Sequence, residues 1–280
     1  MSLELVELPE LWGAWSGAAS PSLWRGSLRD GAELTIAWGA AGDLLFGYDA
    51  RAWFHLDPEA RSLLSAAEEP EALDWRRVLL SRVLPVVALV HRYEALHAAA
   101  VETPAGVVAL LGPSGAGKST LATELLRRGH RLFADDVTVL APGPAGPLAH
   151  PAGPYLSVGE DESFPGEHLA TLGGKAWIAV EDACLEPRPL RALALLRRGG
   201  SGPAAAEELE PSPLELAPFM VGLPDEEGRD AARFGLYSDL VEGARLLRLS
   251  GSPTEPVAAF ADELERALGL ELLASAGGQR

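Results

Sequence analysis

The sequence predicts an α/β chain in two parts, a small β-rich unit with helices followed by a larger domain in which strands and helices alternate. Three observations carry this. Between Glu33 and Leu56 the runs ELTIAW, DLLFGY and AWFHL are short, rich in aromatic and large apolar residues, and separated by Gly and Asp. From Pro58 the pattern shifts to Ala, Leu, Glu and Arg at helical spacing. Past His97 an apolar run, VVALLG, passes directly into a glycine-rich turn and then into a helical pattern.

Composition bounds what such a chain does. Its 280 residues hold 40 acidic and 23 basic side chains, net −17, which argues against a general nucleic-acid binder. A hydrophobic share of 48% with 22% charged residues is enough to build a core and excludes wholesale disorder. The single cysteine, Cys184, forms no internal disulfide and no cysteine metal cluster, fits a reducing compartment, and reads as a small buried apolar residue. The start, MSLELVELPELWGAW, has no basic stretch leading into an apolar run, so a cytoplasmic protein is expected. Val78 to Val90 is interrupted by Ser81, Arg82 and Pro85 and is too short to span a bilayer, so it reads as a buried helix and no membrane partner is expected.

Residues 1–90 are expected to form the first unit. After its three strands come helices over EARSLLSAAEE and over ALDWRRVLLSRVLPVVALVHRYEAL, the second kinked or divided by Pro85. Trp12, Trp15, Trp24, Trp38, Trp53 and Trp75 are expected to pack this unit. Residues 91–270 are expected to form the second. HAAAV and VVALLG flank the turn ETPAG as two strands, Lys118 to Arg128 continue as a helix with Gly129 at its C′ position, and RLFADD and VTVL give two further strands. APGPAGPLAHPAGP reads as a Pro/Gly-rich loop, either a site cover or plain surface, and SGPAAAEELEPSP as an acidic excursion. KAWIAV, LRALALL and ARLLRLS are strand candidates, Glu255 to Leu268 a helix, and 271–280 a fraying tail.

Chemistry concentrates at the glycine-rich turn. Gly112-Pro113-Ser114-Gly115-Ala116-Gly117-Lys118-Ser119-Thr120 fits G-x-x-x-x-G-K-[ST], the Walker A pattern, in full and in its proper context between strand and helix. Glycines let the backbone curl so that successive N–H groups point at phosphate oxygens, and the helix N-terminus adds its positive dipole end. Lys118 then reaches the β- and γ-phosphates, the Ser119 hydroxyl is placed for Mg²⁺, and Thr120 for the α-phosphate. A nucleotide and Mg²⁺ are the expected ligands of residues 112–120, with the choice among ATP, GTP and pyrophosphate left open.

Asp135 and Asp136 follow only one helix and one strand after Lys118, a path that returns the chain to the sheet beside the loop. One carboxylate then ligates Mg²⁺ and the other acts as a base. Adjacent strand residues point to opposite faces, so both serve one site only at a strand end or turn. Hairpin geometry could bring His97 beside the strand that feeds the loop, within reach of an aspartate, although by spacing alone a histidine is more often structural or at the surface. His130 is expected to cap the carbonyls of the preceding helix, and Lys175 to contact phosphate from a loop or simply to be exposed. Arg127, Arg128, Arg131, Arg197 and Arg198 form either a basic patch or a solvated face.

The string HAAAVETPAGVVALLGPSGAGKSTLATELLRRGHRLFADDVTVL resembles the catalytic domain of the HPr kinase/phosphorylase family, especially the HPr-kinase-related proteins found with modified-peptide biosynthesis. The resemblance implies a P-loop kinase domain of the HPr kinase and phosphoenolpyruvate carboxykinase type. It implies Asp135 as base for a serine hydroxyl, His97 as its support, and Asp136 with Ser119 at the metal-bound phosphates. The acceptor it implies is a peptide or small protein bearing a serine, and members are often homo-oligomers. Two departures stand out. The family's further acidic, glycine-rich motif is missing from HPAGPYLSVGEDESFPGE, where Glu160, Asp161 or Glu162 would have to substitute, and the Trp-containing first unit is unlike the family's N-terminal domain. Two other readings remain, an accessory nucleotide-binding module and a small-molecule kinase.

Overall fold

The computed structural model describes residues 1–17, 24–27, 31–57, 59, 61–143, 146–159, 164–172, 174–222 and 230–270. The tail 271–280 and the acidic candidates Glu160, Asp161 and Glu162 lie outside them. The chain divides into two compact units, one centred on Met1–Tyr93 and the other on Glu94–Val221 with the C-terminal elements.

The first unit runs β1 (Ser2–Leu5), α1 (Leu8–Ala14), β2 (Trp24–Ser27), β3 (Glu33–Trp38), β4 (Leu44–Tyr48), β5 (Ala52–Leu56), β6 (Ser62–Ala67), α2 (Asp74–Val78) and α3 (Leu84–Val90). Six strands form one sheet in the order β1-β6-β5-β4-β3-β2, antiparallel except for the parallel pair β1–β6. The strands expected over ELTIAW, DLLFGY and AWFHL are present. EARSLLSAAEE is not a helix: its centre is β6, held by β5 on one side and β1 on the other. A two-sided ladder with Leu63, Ser65 and Ala66 buried outweighs the modest helix preference of Ala, Leu and Glu. Pro85 divides the following helix as expected, with a π-helical turn at Leu79–Val83 between α2 and α3. Trp75 is buried, but Trp15, Trp38 and Trp53 are half-buried and Trp12 is exposed, while the Trp24 side chain lies outside the described residues. The interior is filled by Leu44, Phe46, Phe54, Leu56 and Leu63, because a large amphipathic ring seldom buries completely.

The second unit runs β7 (Glu94–Leu96), β8 (Ala98–Thr103), β9 (Gly106–Leu111), α4 (Lys118–Arg127), β10 (Arg131–Ala134), β11 (Thr138–Ala141), β12 (Leu148–His150), β13 (Tyr155–Gly159), β14 (Glu167–Leu172), β15 (Lys175–Ala179), β16 (Arg188–Arg198), β17 (Ala205–Glu208), α5 (Asp230–Gly243), β18 (Arg245–Gly251) and α6 (Val257–Leu268). Its main sheet has the order β10-β8-β9-β16-β12-β11-β7, with β18 also on β16 and β17 beyond β18. β9, β16 and β18 run parallel, and β13-β15-β14 form a separate small antiparallel sheet. Alternation along β9 sends Val108 and Leu110 toward α4 and α6, and Val107, Ala109 and Leu111 toward α5. Helices thus cover both faces, and the mixed α/β expectation holds. Leu110 is fully buried among Leu121, Leu125 and Phe260 in this core, so Leu110→Ala should lower the unfolding free energy in urea by about 2–5 kcal/mol.

Two further corrections come from pairing. SGPAAAEELEPSP contains β17, which satisfies its backbone on β18, and APGPAGPLAHPAGP contains β12, which pairs with β11 and β16. His130 does not cap carbonyls with its ring; its buried Nε2 lies 3.0 Å from Glu265 Oε1 on α6. Among the described residues no helix is long and apolar enough to cross a membrane.

Candidate functional site

β9 delivers the chain to residues 112–117, and α4 begins at Lys118. Gly117 holds φ at +95°, a left-handed conformation that side chains resist, and a Cβ there would lie 3.2 Å from Arg198 Nη1. At Gly112 a Cβ would lie 3.0 Å from the Leu196 carbonyl oxygen, so the loop runs hard against the end of β16. Pro113, Ser114 and Gly115 form the exposed crown, while Ala116, Ser119 and Thr120 are half-buried. The first amides of α4 have no carbonyl one turn behind them and are directed to the loop.

Lys118 is buried, and its Nζ donates to the carbonyls of Gly112 at 2.8 Å and Pro113 at 3.4 Å. The ammonium is thereby held inside the curl of the loop. α4 then ends in a Schellman motif: the Gly129 amide donates to Leu126 O, the His130 amide to Leu125 O, and Gly129 takes φ +93°. This turn sends the chain into β10, antiparallel to β8 and so aligned with β9. Three groups far apart in sequence reach the same end of the sheet as a result. The register Ala98↔Leu111 places His97 opposite Gly112, and Ala134↔Ala100 places Asp135 just past its strand.

Asp135 and Asp136 sit at the bend after β10, the strand-end position that two adjacent carboxylates require to share a site. Asp136 takes φ +71°, uncommon for a residue with a Cβ and of the kind that clusters at functional sites. Asp135 keeps some surface open while protein surrounds it closely. Its Oδ1 accepts a hydrogen bond from the Ser119 hydroxyl at 3.2 Å, and its Oδ2 accepts from the Ser157 amide at 2.8 Å. Burial, and then the neighbouring charge of Asp136, push its carboxyl up to about 6, against the lowering effects of the Ser157 amide, Lys175 and Ser119. The carboxylate joined to the Walker serine is therefore Asp135; Asp136 lies alongside as a like charge.

The half-buried Lys175 thus contributes its charge at Asp135. The arginines do not form a free basic patch. Arg128 bonds Glu124, Asp262 and Glu265, Arg131 bonds Glu102 and Asp182, Arg127 pairs with Glu124, and Arg197 with Glu215. Arg198 spends its Nη2 on the carbonyls of Pro253 and Glu255 and stacks over Phe260. Cys184 is buried and free, as its composition suggested. Sequence reading missed the Ser157 amide and the proximity of Arg198 to Gly117. A backbone donor has no side-chain signature, and the position of Arg198 follows from the pairing of β16 with β9.

The donor set suits ATP and Mg²⁺: a cation inside a glycine-curled loop, and the Ser119 hydroxyl with two adjacent carboxylates, Asp135 and Asp136, as hard oxygen groups at the same sheet end. Among the described residues no three His, Cys, Asp or Glu gather into a group that could hold a metal ion.

No family model matches the chain. Over 49 residues it is 45% identical to the HPr kinase/phosphorylase of Prosthecochloris aestuarii, a stretch covering 18% of this chain and only 14% of that protein. Among solved structures, it is similar to the Hpr(Ser) kinase/phosphatase from Coxiella burnetii with a TM-score of 0.39 and 15% identity, covering 62% of this chain and 95% of that one. The chain is HPr kinase-like in the stretch it shares with the Prosthecochloris protein.

Proposed function

We propose that this HPr kinase-like chain is an ATP-dependent kinase that transfers the γ-phosphate to a serine hydroxyl of a peptide or small protein. The observation that carries the reading is the convergence of Lys118, Ser119 and Asp135 at one sheet end through the 3.2 Å bond between Ser119 and Asp135. Phosphoryl transfer asks the protein for positioning and charge neutralisation more than for covalent help. The amides of residues 112–117 and the start of α4 cradle the phosphates, and Lys118 exchanges its loop carbonyls for the β- and γ-phosphates. Ser119 and Asp136 would hold Mg²⁺, which would supply positive charge to offset that of the phosphates.

Asp135 is the base. The acceptor serine oxygen forms its bond to the γ-phosphorus as the bond to the bridging oxygen breaks, ADP leaves, and the serine proton passes to an Asp135 carboxylate oxygen. His97, opposite Gly112 by register, supports that carboxylate. The carboxyl's rise to about 6 is consistent with a group able to take a proton near neutral pH.

The test is transfer of γ-labelled phosphate from Mg-ATP into serine-containing peptides and small proteins. Acid-stable label on serine is expected. Tight nucleotide binding without any label would turn the reading to an accessory nucleotide-binding module, and label on a small metabolite to a small-molecule kinase.

A further inference from the structure

β1 ends the six-stranded sheet, and among the described residues only β6 pairs with it. The Ser2 amide donates to Arg61 O and the Val6 amide to Ser65 O, each at 2.8 Å. In a parallel ladder alternate residues face the neighbour, so Ser2, Glu4 and Val6 bond toward β6 while the N–H and C=O groups of Leu3 and Leu5 face the open edge. Leu3 is 51% and Leu5 53% exposed. Sheet edges are ordinarily blunted by charge, proline or a bulge; here Glu4 is the one charge on the strand, between the exposed Leu3 and Leu5.

Where β1 runs into α1 lies a groove of about 480 Å³ whose lining includes Leu5, Leu8 and Trp53 together with Glu7, Glu10 and Glu68. The Trp53 ring meets that of Trp12 at 5.0 Å between centroids, which extends the apolar surface along α1. Of the nine exposed large apolar side chains among the described residues, Met1, Leu3, Leu5, Leu8 and Trp12 fall within the first twelve positions.

We propose that this edge and groove dock an extended peptide segment of alternating apolar and basic residues. The segment adds as a strand on β1, its main chain bonding the outward groups of Leu3 and Leu5. Its apolar side chains enter the groove at Leu5 and Leu8, and its basic ones meet Glu7 and Glu10. Charge complementarity selects this occupant: three carboxylates rim the groove on a chain of net charge −17, which favours a cationic partner and repels an acidic one. The inference stands apart from phosphate transfer, since it needs only the first unit's own surface.

The experiment is fluorescence anisotropy of a labelled, end-blocked peptide of alternating lysine and leucine titrated with the full chain, beside a glutamate–leucine counterpart. The basic peptide is expected to bind and the acidic one not. Leu3→Pro removes one outward amide and no bond to β6, so it should weaken binding by roughly tenfold or more with the melting temperature retained. Glu7→Lys combined with Glu10→Lys, at two exposed positions, should weaken it comparably and flatten its salt dependence, which keeps the test informative should the proline variant misfold. No binding of the basic peptide, equal affinity for both peptides, or indifference to the charge reversal overturns the proposal. So does a concentration-dependent dimer in sedimentation that Leu3→Pro dissolves, because the occupant is then a second copy of the chain.

Discussion

Asp135→Asn is expected to lower phosphate transfer by about 10²–10⁴-fold, the usual contribution of a positioned base, while leaving the affinity for Mg-ATP within a few-fold of the native value. The substitution is conservative here for a specific reason. Asp135 accepts two hydrogen bonds, from the Ser119 hydroxyl and from the Ser157 amide. An asparagine keeps both contacts by accepting from Ser157 with its oxygen and donating to Ser119 with its amide, because a hydroxyl serves equally as acceptor. It also removes a charge that burial and Asp136 disfavour, so the melting temperature should not fall. A variant that transfers phosphate at the native rate removes Asp135 as base. One that instead loses Mg²⁺-dependent nucleotide binding makes Asp135 a metal ligand, a role its bond to Ser119 also fits; the same titration on Asp136→Asn separates the two assignments.

Lys118→Ala is expected to act on both steps. Loss of a charge-assisted bond to phosphate should weaken ATP binding by roughly ten- to a hundredfold. Loss of a preorganised charge where the transition state gathers its own should lower turnover by about 10²–10³-fold at saturating ATP. Lys118 also ties the loop through Gly112 and Pro113, so the melting temperature of the variant is measured alongside. Nucleotide affinity and turnover both unchanged would show that this loop does not bind ATP in the expected manner. The two variants thus differ in signature: Asp135→Asn separates binding from transfer, and Lys118→Ala does not.

Much of the second unit was legible because its signals are local. The run from β9 through residues 112–117 into α4 is written in consecutive residues, as is the Schellman stop at Gly129, and the aspartate pair follows a strand of four residues. The strands that form only by pairing across the chain were less legible. EARSLLSAAEE carries a helical composition and becomes β6 because β1 and β5 flank it, and β17 formed where only an acidic excursion was expected because β18 offered it a ladder. Local preferences there differ by fractions of a kcal/mol per residue, less than a two-sided hydrogen-bonded ladder with buried side chains contributes.

By itself the sequence determined the glycine-rich loop, the helix after it, the turn that ends that helix and the acidic bend beyond. Each depends on backbone conformations that glycine alone adopts readily, or on bonds closed within one turn. Only the tertiary structure decided which carboxylate meets Ser119, which amide holds that carboxylate, and whether the arginines are free. The Ser119–Asp135, Asp135–Ser157 and Arg128–Glu265 bonds span 16, 22 and 137 residues. Such contacts are set by sheet register and helix packing, because the pairing of β10 with β8 and the seating of α6 beside α4 bring together groups that the chain keeps apart.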